Sequence, residues 1–359
     1  MALKIFERYL AREIYGATTL VLVAFLMLFA FFDFIGEIQQ LGKGGYQLHH
    51  AASYVLLTLP GRVYELFPIA VLIGTLYALT LLARHSEITV LRASGLSTGG
   101  LLRSLVKLGS VFVLLTFLFG EVIAPPAEKA AQQLRLKATG SMVAQEFRSG
   151  LWVKDERSFI NVRDMQPDAT LRDIRIYEFD DRFRLRAISD AGGGEYDGPG
   201  HWRLRDVTQT SFTGERASVQ RFPEIVWQSA LTPDILSVLL VVPEKMSLPN
   251  LYQYIRHLLD NQQKTDRYEI ALWKKLTYPL TALVMMALAV PFAYLHSRLG
   301  AISLKVFTGV MLGIGFHMLN GLFSSLGVIN GWVPFWAAIT PSALFLLGAS
   351  GMLWWVERR

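Results

Sequence analysis

Ile14 to Phe32 reads IYGATTLVLVAFLMLFAFF, a run without a single charge. A hydrocarbon layer about 30 Å thick takes about 20 predominantly apolar residues per helix, so this stretch is long enough to cross one. Lys4, Arg8 and Arg12 precede it, as in a signal peptide. It is too long for the apolar region of a signal, and it ends in Phe31-Phe32-Asp33-Phe34 with no small-residue cleavage site. The run is therefore expected to stay as a membrane anchor, and the fold turns on how often it recurs.

It recurs five times. Further uncharged or nearly uncharged runs lie within Tyr54 to Leu82, from Leu108 to Gly120, Leu276 to Leu295, Val306 to Leu326, and Val333 to Val356. Lys4, Arg8 and Arg12, then Arg84, Arg92, Arg103 and Lys107, then Arg298 and Lys305, and last Arg358 and Arg359 fall on one side of these spans. The short loops of the other side hold only Lys43. Translocating positive charge is disfavoured, so six spans place both termini in the cytoplasm and the segment between spans three and four outside, in the periplasm of a bacterium. Lys274 and Lys275, at the outer end of span four, run against the rule. Before span one, Leu3, Phe6, Tyr9 and Leu10 share a helical face, which suggests a short helix lying in the membrane interface.

The composition agrees. Of 359 residues 52% are apolar and 18% charged, against about 25% charged in soluble domains, which excludes a disordered chain and argues against a simple cytosolic enzyme. The net charge of +6 belongs to the apolar ends, because 41 of the 64 charges lie between Ala124 and Trp273 and nearly cancel there. Nucleic acid is therefore not the implied partner. With no cysteine, neither disulfides nor thiolate metal or redox sites exist.

From Gly150 the pattern alternates. Leu151-Trp152-Val153, Phe159 to Val162, Ile174 to Tyr177, Trp202 to Leu204 and Ile225 to Trp227 read as short strands. Asp155 to Ser158, Pro167-Asp168, Ala191 to Gly194 and Asp197 to Gly200 read as turns between them. The spacing is that of a small antiparallel sandwich or barrel over residues 145 to 230. After Pro233 a linker leads to helical stretches at Leu248 to Gln262 and Thr265 to Lys275.

Catalytic patterns are missing: there is no phosphate-cradling G-x-x-x-x-G-K-[ST] loop, no H-E-x-x-H pair and no nucleophile spacing. His49 and His50 are adjacent and expected to point apart on a helix. Gly309, Gly313 and Gly315 read as small residues that let helices approach. Arg62 and Glu65, three apart in span two, either pair with each other or mark a functional site, whereas His317 and Asn320, three apart in span five, are expected to make an interhelical hydrogen bond rather than contact substrate.

The loop between spans two and three, Arg84 to Ser97, reads as one short helix. Ser86 is the expected N-cap, Glu87 suits the positive N-terminus, Gly95 suits the C-cap, and Ile88 and Leu91 form an apolar side. Such a helix is an ordinary interfacial turn or a coupling element that seats in a groove on a separate ATPase. Here the sequence resembles the lipopolysaccharide-export permeases LptF and LptG. The resemblance covers nearly the whole chain: Arg8-Tyr9, Phe67-Pro68, Leu72-Ile73-Gly74, Ser86-Glu87, Ala93-Ser94-Gly95, Gly120-Glu121, Ala124-Pro125, Gly150-Leu151-Trp152, Arg267-Tyr268 and Trp273. The Gly-Leu-Trp and Ala-Ser-Gly segments look more like LptG.

The resemblance implies an α-helical integral membrane protein with six transmembrane helices and an all-β, jellyroll-like periplasmic domain inserted between helices 3 and 4. Its expected parts are an N-terminal membrane half, residues 1–140, a β-domain, 141–246, and a connecting helix with the C-terminal membrane half, 247–359. It implies a non-catalytic permease subunit of an ABC transporter in the bacterial inner membrane, paired with an LptF-like permease. An LptB-like ATPase dimer would hold ATP and Mg, and an LptC-like jellyroll protein would receive lipopolysaccharide. No cofactor is expected in this chain. Ser86, Glu87, Ile88, Leu91, Arg92 and Gly95 would meet the ATPase; Arg62, Arg135, Lys43, Lys129 and Lys137 would meet lipopolysaccharide across the basic rim of a lipid-friendly cavity. Where LptG relatives carry lysines at the end of span one, this chain has Asp33, Gln39 and Gln40. A membrane-anchored periplasmic scaffold is the alternative, and a secondary transporter would want acidic ion sites at mid-membrane that these spans barely offer.

Overall fold

Among the described residues the uncharged runs fold as helices. The computed structural model describes residues 2–42, 44–139, 150–165, 170–198, 200–214, 216–229, 231–232, 242–294 and 302–358. Lys43, Pro167-Asp168, Pro233, Arg298 and Arg359 lie outside the described residues. α1 is Ala2–Ile38, α2 Leu48–Arg84, α3 Glu87–Ala93, and α4 Thr98–Leu118. A π-helical turn, Phe119–Ile123, joins α4 to α5, Ala124–Thr139. After the β-domain come a 3₁₀ turn, Pro243–Lys245, then α6, Leu248–Asp260, and α7, Asp266–Thr277. A second 3₁₀ turn, Tyr278–Leu280, leads into α8, Thr281–Tyr294, followed by α9, Ile302–Asn330, and α10, Pro334–Glu357. Six helical segments among the described residues are long and apolar enough to cross a membrane: α1, α2, α4 with α5, α7 with α8, α9 and α10.

α2 is the central helix. Its second half, Leu66 to Leu82, is almost wholly buried and packs against α1, α8 and α9. The approach to α1 is closest at Gly74, where a Cβ would come within 2.6 Å of the Thr18 backbone. Gly313 and Gly309 of α9 likewise admit Ile69 and Ile73 of α2. Gly315 faces nothing within 4 Å, because it lies on another side of the same helix.

The expected interfacial helix before span one is not a separate element. α1 is unbroken from Ala2, and Phe6, Leu10 and Ile14, spaced by four, pack into the helical core; Leu10 and Ile14 are fully buried. Of that stripe, Phe6 and Leu10 meet protein while Tyr9 stays exposed. Beyond it, α1 turns an apolar face outward, with Leu20, Met27 and Phe31 exposed.

Between α5 and the Pro243 turn lies a six-stranded antiparallel meander, β1 Leu151–Asp155, β2 Ser158–Met165, β3 Leu171–Phe179, β4 Leu185–Gly198, β5 His201–Thr213 and β6 Arg216–Gln228, paired in sequence order. Ala191 to Gly194 is not a turn but the middle of β4, where Ala191 pairs with Val207 and Gly194 with Leu204. Gly194 is small for a packing reason: a Cβ there would fall 2.6 Å from Ile174. The turn sits earlier, where Asp180 Oδ1 accepts from the Arg182 and Arg184 amides, each at 2.9 Å. One face of the sheet buries Val153, Ile160, Ile174 and Trp202, and α6 closes it with Tyr254 and Leu258. Lys154 and the Glu156 amide bond to Asn261 just after α6, tying the sheet to the helices that re-enter the membrane half.

His49 and His50 do not point apart. Their ring centroids are 3.9 Å from each other, and His50 Nδ1 accepts from the Gln47 amide in the first turn of α2.

Candidate functional site

Two constructions stand at opposite ends of α2. At the end near its start is a cavity of about 470 Å³ walled by α1, α2, the π-turn with α5, the Pro243 turn, α7 and α9. The π-turn shapes one wall. Gly120 in it lies against the Tyr64 ring, where a Cβ would come within 2.5 Å, and Glu121 beside it accepts from the Leu248 amide at 2.9 Å. Wider turns of this kind recur at functional sites because they re-aim side chains within a continuous helix.

The charges in the cavity are matched. Arg62 forks onto Asp33 of α1, donating from Nε at 2.8 Å and Nη2 at 2.7 Å, and gives Nη1 to Glu65 at 2.9 Å. Pairing with Glu65 thus holds, and a second carboxylate from another helix joins it. Arg135 of α5 lies 3.8 Å from Glu37 and 5.4 Å above the Tyr54 ring. Glu37 also accepts from the Tyr46 hydroxyl at 2.8 Å; burial, with that bond, pushes the Tyr46 phenol upward, so it stays a donor. Lys245 donates to Glu128 at 2.7 Å. Lys275, buried, donates to the Met246 carbonyl and lies 3.2 Å from Glu121. Lys274 lines the cavity as well, half-buried, and among the described residues it makes no hydrogen bond or ion pair; it feels Glu244 through space.

Arg62 and Arg135 are thus brought together, while Lys129 and Lys137 are not. Both lysines are exposed on α5 outside this cavity, and Lys137 borders a separate open groove with Gly45 and His50. Lys43 lies outside the described residues. Among the described residues the cavity lining is balanced rather than basic: it holds five Lys/Arg and five Asp/Glu, with no formal excess. Asp33, Glu37 and Glu65 on α1 and α2 cancel the arginines. Lys245, Lys274 and Lys275 are the cations that sequence reasoning left out; for Lys274 and Lys275 the signal was that this pair breaks the charge rule at the outer end of span four, and Lys245 carried none. His317 and Asn320 both line the cavity; among the described residues neither side chain makes the interhelical hydrogen bond expected of it.

At the other end of α2, about 30 Å from Glu65 at 1.5 Å per residue, is α3. Ser86 occupies the N-cap position with φ +60° and its side chain caps nothing, contrary to expectation. The sharp turn out of α2 uses the left-handed backbone there, which swings the hydroxyl away from the first-turn amides. The other end is as expected: Gly95 has φ +98°, its amide bonds to the Arg92 carbonyl and the Leu96 amide to the Leu91 carbonyl, both at 3.0 Å. Leu91 and Leu96 close over the same hollow as Ile88, Leu10 and Leu82, completing a Schellman cap. Ile88, 7% exposed, anchors the helix in the core. Glu87 accepts from the Tyr9 hydroxyl at 3.4 Å, while Val90 and Arg92 face outward. A short helix held on one face by the ends of α1, α2 and α4 can transmit a push on its other face.

Comparison with known proteins matches this architecture. The family model for lipopolysaccharide export system permease LptF/LptG covers residues 8–356. The chain is 31% identical over 360 residues to lipopolysaccharide export system permease protein LptG of Escherichia coli (strain K12), covering 99% of this chain and 98% of the relative. It is 30% identical over 354 residues to LptG of Haemophilus influenzae (strain ATCC 51907 / DSM 11121 / KW20 / Rd), covering 98% of each. With six helices of spanning length and a six-stranded antiparallel insertion after the third, this multi-pass chain belongs to the lipopolysaccharide export permease family LptF/LptG, closer to LptG.

Proposed function

We propose that this chain is the LptG-type permease subunit of an ATP-driven exporter in the inner membrane of a bacterium, taking lipopolysaccharide into the cavity between α1, α2, α5, α7 and α9 and delivering it to its own β-sheet. Both termini and α3 face the cytoplasm and the sheet faces the periplasm. An LptB-like ATPase dimer seats α3, an LptF-like permease closes the cavity from the other side, and an LptC-like jellyroll takes the lipid onward. Glu87, Ile88, Leu91, Arg92 and the Ser86 and Gly95 ends form the lever. ATP hydrolysis belongs to the ATPase, and this chain supplies shape change alone. The observation that carries the reading is resemblance to LptG along the entire chain, with the lever and the cavity at opposite ends of one helix.

Co-purification followed by reconstitution tests it. A nucleotide-binding subunit is expected to accompany the permease in detergent, and the reconstituted assembly to release lipopolysaccharide only with ATP. Glu87→Arg is expected to cut ATP-dependent release by about tenfold or more, since it reverses a charge at the contact, a change worth about 1.5–3 kcal/mol when desolvated. Release unaffected by that substitution, or a permease that never carries an ATPase, overturns the reading.

A further inference from the structure

Delivery of a lipid onto the sheet needs an apolar surface for its chains, and the sheet's own apolar face is already covered. Val153, Ile160, Ile174, Trp202 and Leu204 turn inward on it, and Tyr254 and Leu258 of α6 are buried against them. Asn261, one residue beyond α6, fastens the cover. Its backbone carbonyl accepts from Lys154 at 2.9 Å, and its side-chain oxygen accepts from the Glu156 amide at 2.7 Å.

α6 moves only with α7, because the two fold back on each other as a hairpin. Leu251 packs with Met246 and Ala271, and the Tyr254 and Tyr268 rings meet edge to face at 4.6 Å. The reversal between the helices passes through Gln262, whose φ is +53°. At the open end of this hairpin both legs converge on one residue. Glu121 of the π-turn accepts from the Leu248 amide at the start of α6 with Oε2 at 2.9 Å, and its Oε1 lies 3.2 Å from Lys275 near the end of α7. Lys275 also donates to the Met246 carbonyl just before α6. A carboxylate is favoured at a helix N-terminus, and a buried ammonium is costly to leave without its partner, so the base of the hairpin follows Glu121. The π-turn lies in span three, with Gly120 seated on the Tyr64 ring of α2. A shift of span three at the π-turn therefore displaces the base. α6, 13 residues and about 20 Å long, carries that displacement to its tip at Asn261.

We propose that the α6–α7 hairpin is a lid over the apolar face of the sheet, worked from its base by Glu121, and that lipid chains reach that face only when the bonds at Asn261 part. This inference rests on the export reading and deepens it by naming the gate between the spans and the sheet. It also gives the Gly120-Glu121 pair a role: the glycine lets the π-turn seat on α2, and the carboxylate grips the lid.

The test locks the tip. Glu156→Cys with Asn261→Cys, in the complete permease complex in proteoliposomes, is closed by oxidation or, where the thiols stand too far apart, by a short reducible bis-thiosulfonate, and closure is verified by mass spectrometry. Closing the bond is expected to cut ATP-dependent lipopolysaccharide release about tenfold while ATP hydrolysis continues, and reduction to restore it. The base is tested by hydrogen exchange of the α6 amides. Trapping the ATPase with vanadate is expected to raise their exchange about tenfold over the nucleotide-free complex. Glu121→Ala is expected to remove that difference between the two states, whereas a merely structural role would raise exchange equally in both. Should Glu121→Ala not assemble, Glu121→Gln carries the test, since it keeps an acceptor for Leu248 and loses the charge on Lys275; it is expected to reduce the difference. Equal release with the bond open and closed overturns the lid, as does α6 exchange that vanadate leaves unchanged. A nucleotide-dependent difference that survives intact in the Glu121 variant overturns the coupling. Each of these leaves the export reading standing, whereas a wild-type complex without ATP-dependent release overturns that reading and this inference with it.

Discussion

At residue scale the decisive substitution is Asp33. It stands at the end of span one, where the resemblance leads one to expect lysine, and it reverses what Arg62 can do. A guanidinium with both Nε and Nη2 given to a carboxylate offers little to a lipid phosphate. Asp33→Asn is expected to release two of its donors and leave the lining with one positive charge in excess. Binding of bisphosphoryl lipid A to the complete permease complex in nanodiscs should then tighten by about three- to tenfold, measured by equilibrium titration. Unchanged affinity would show that the Arg62 side chain is not within reach of the lipid. The Arg62–Glu65 spacing was legible in the sequence. Asp33 as third member was not, because its contact with Arg62 depends on how α1 and α2 pack.

At the scale of elements, two are informative. α3 was readable from its composition, yet its start is set by the left-handed Ser86 and not by a side-chain cap, a choice dictated by the angle at which α2 ends. α6 was readable as a helix from its period, but its role as the lid of the sheet was not. His257 on α6 lies between the Tyr254 ring and the Asn261 side chain. Burial holds its imidazole below the usual histidine range, opposed by Asp155 and Asp260. A histidine kept neutral in the fold takes up a proton more readily when unfolded, so stability is intact above about pH 6.5 and falls as pH drops below it. Asp180, held low by the Arg184 amide and side chain, adds the same sign at more acidic pH. His257→Gln is expected to flatten the loss of thermal stability of the sheet between pH 7.5 and 5.5 by a few degrees, read by hydrogen exchange of β1 and β5 amides during thermal unfolding. An unaltered pH profile would remove His257 as the source.

For the whole molecule the claim open to direct measurement is which way it faces. The native sequence has no cysteine, so single cysteines report without background. Ser94 after α3 and Ser218 on β6 are both exposed. A membrane-impermeant maleimide is expected to label Ser218→Cys in spheroplasts and Ser94→Cys only after the membrane is opened. The reverse pattern would place the sheet in the cytoplasm and undo both the lever and the delivery route.

The sequence by itself determined the six spans, the strand-rich insertion and the short helix after α2, because each depends on local periodicity and on the cost of placing charge in hydrocarbon. Strand register across Gly192 to Gly194 escaped it, since Gly194 is small for the Ile174 and Leu204 side chains packed against it and not for a bend in its own chain. Which cations are spoken for was decided only by the tertiary structure: Asp33, Glu37, Glu121 and Glu128 reach their partners across helix boundaries, and an ion pair is a matter of a few ångströms between segments that can be more than 100 residues apart.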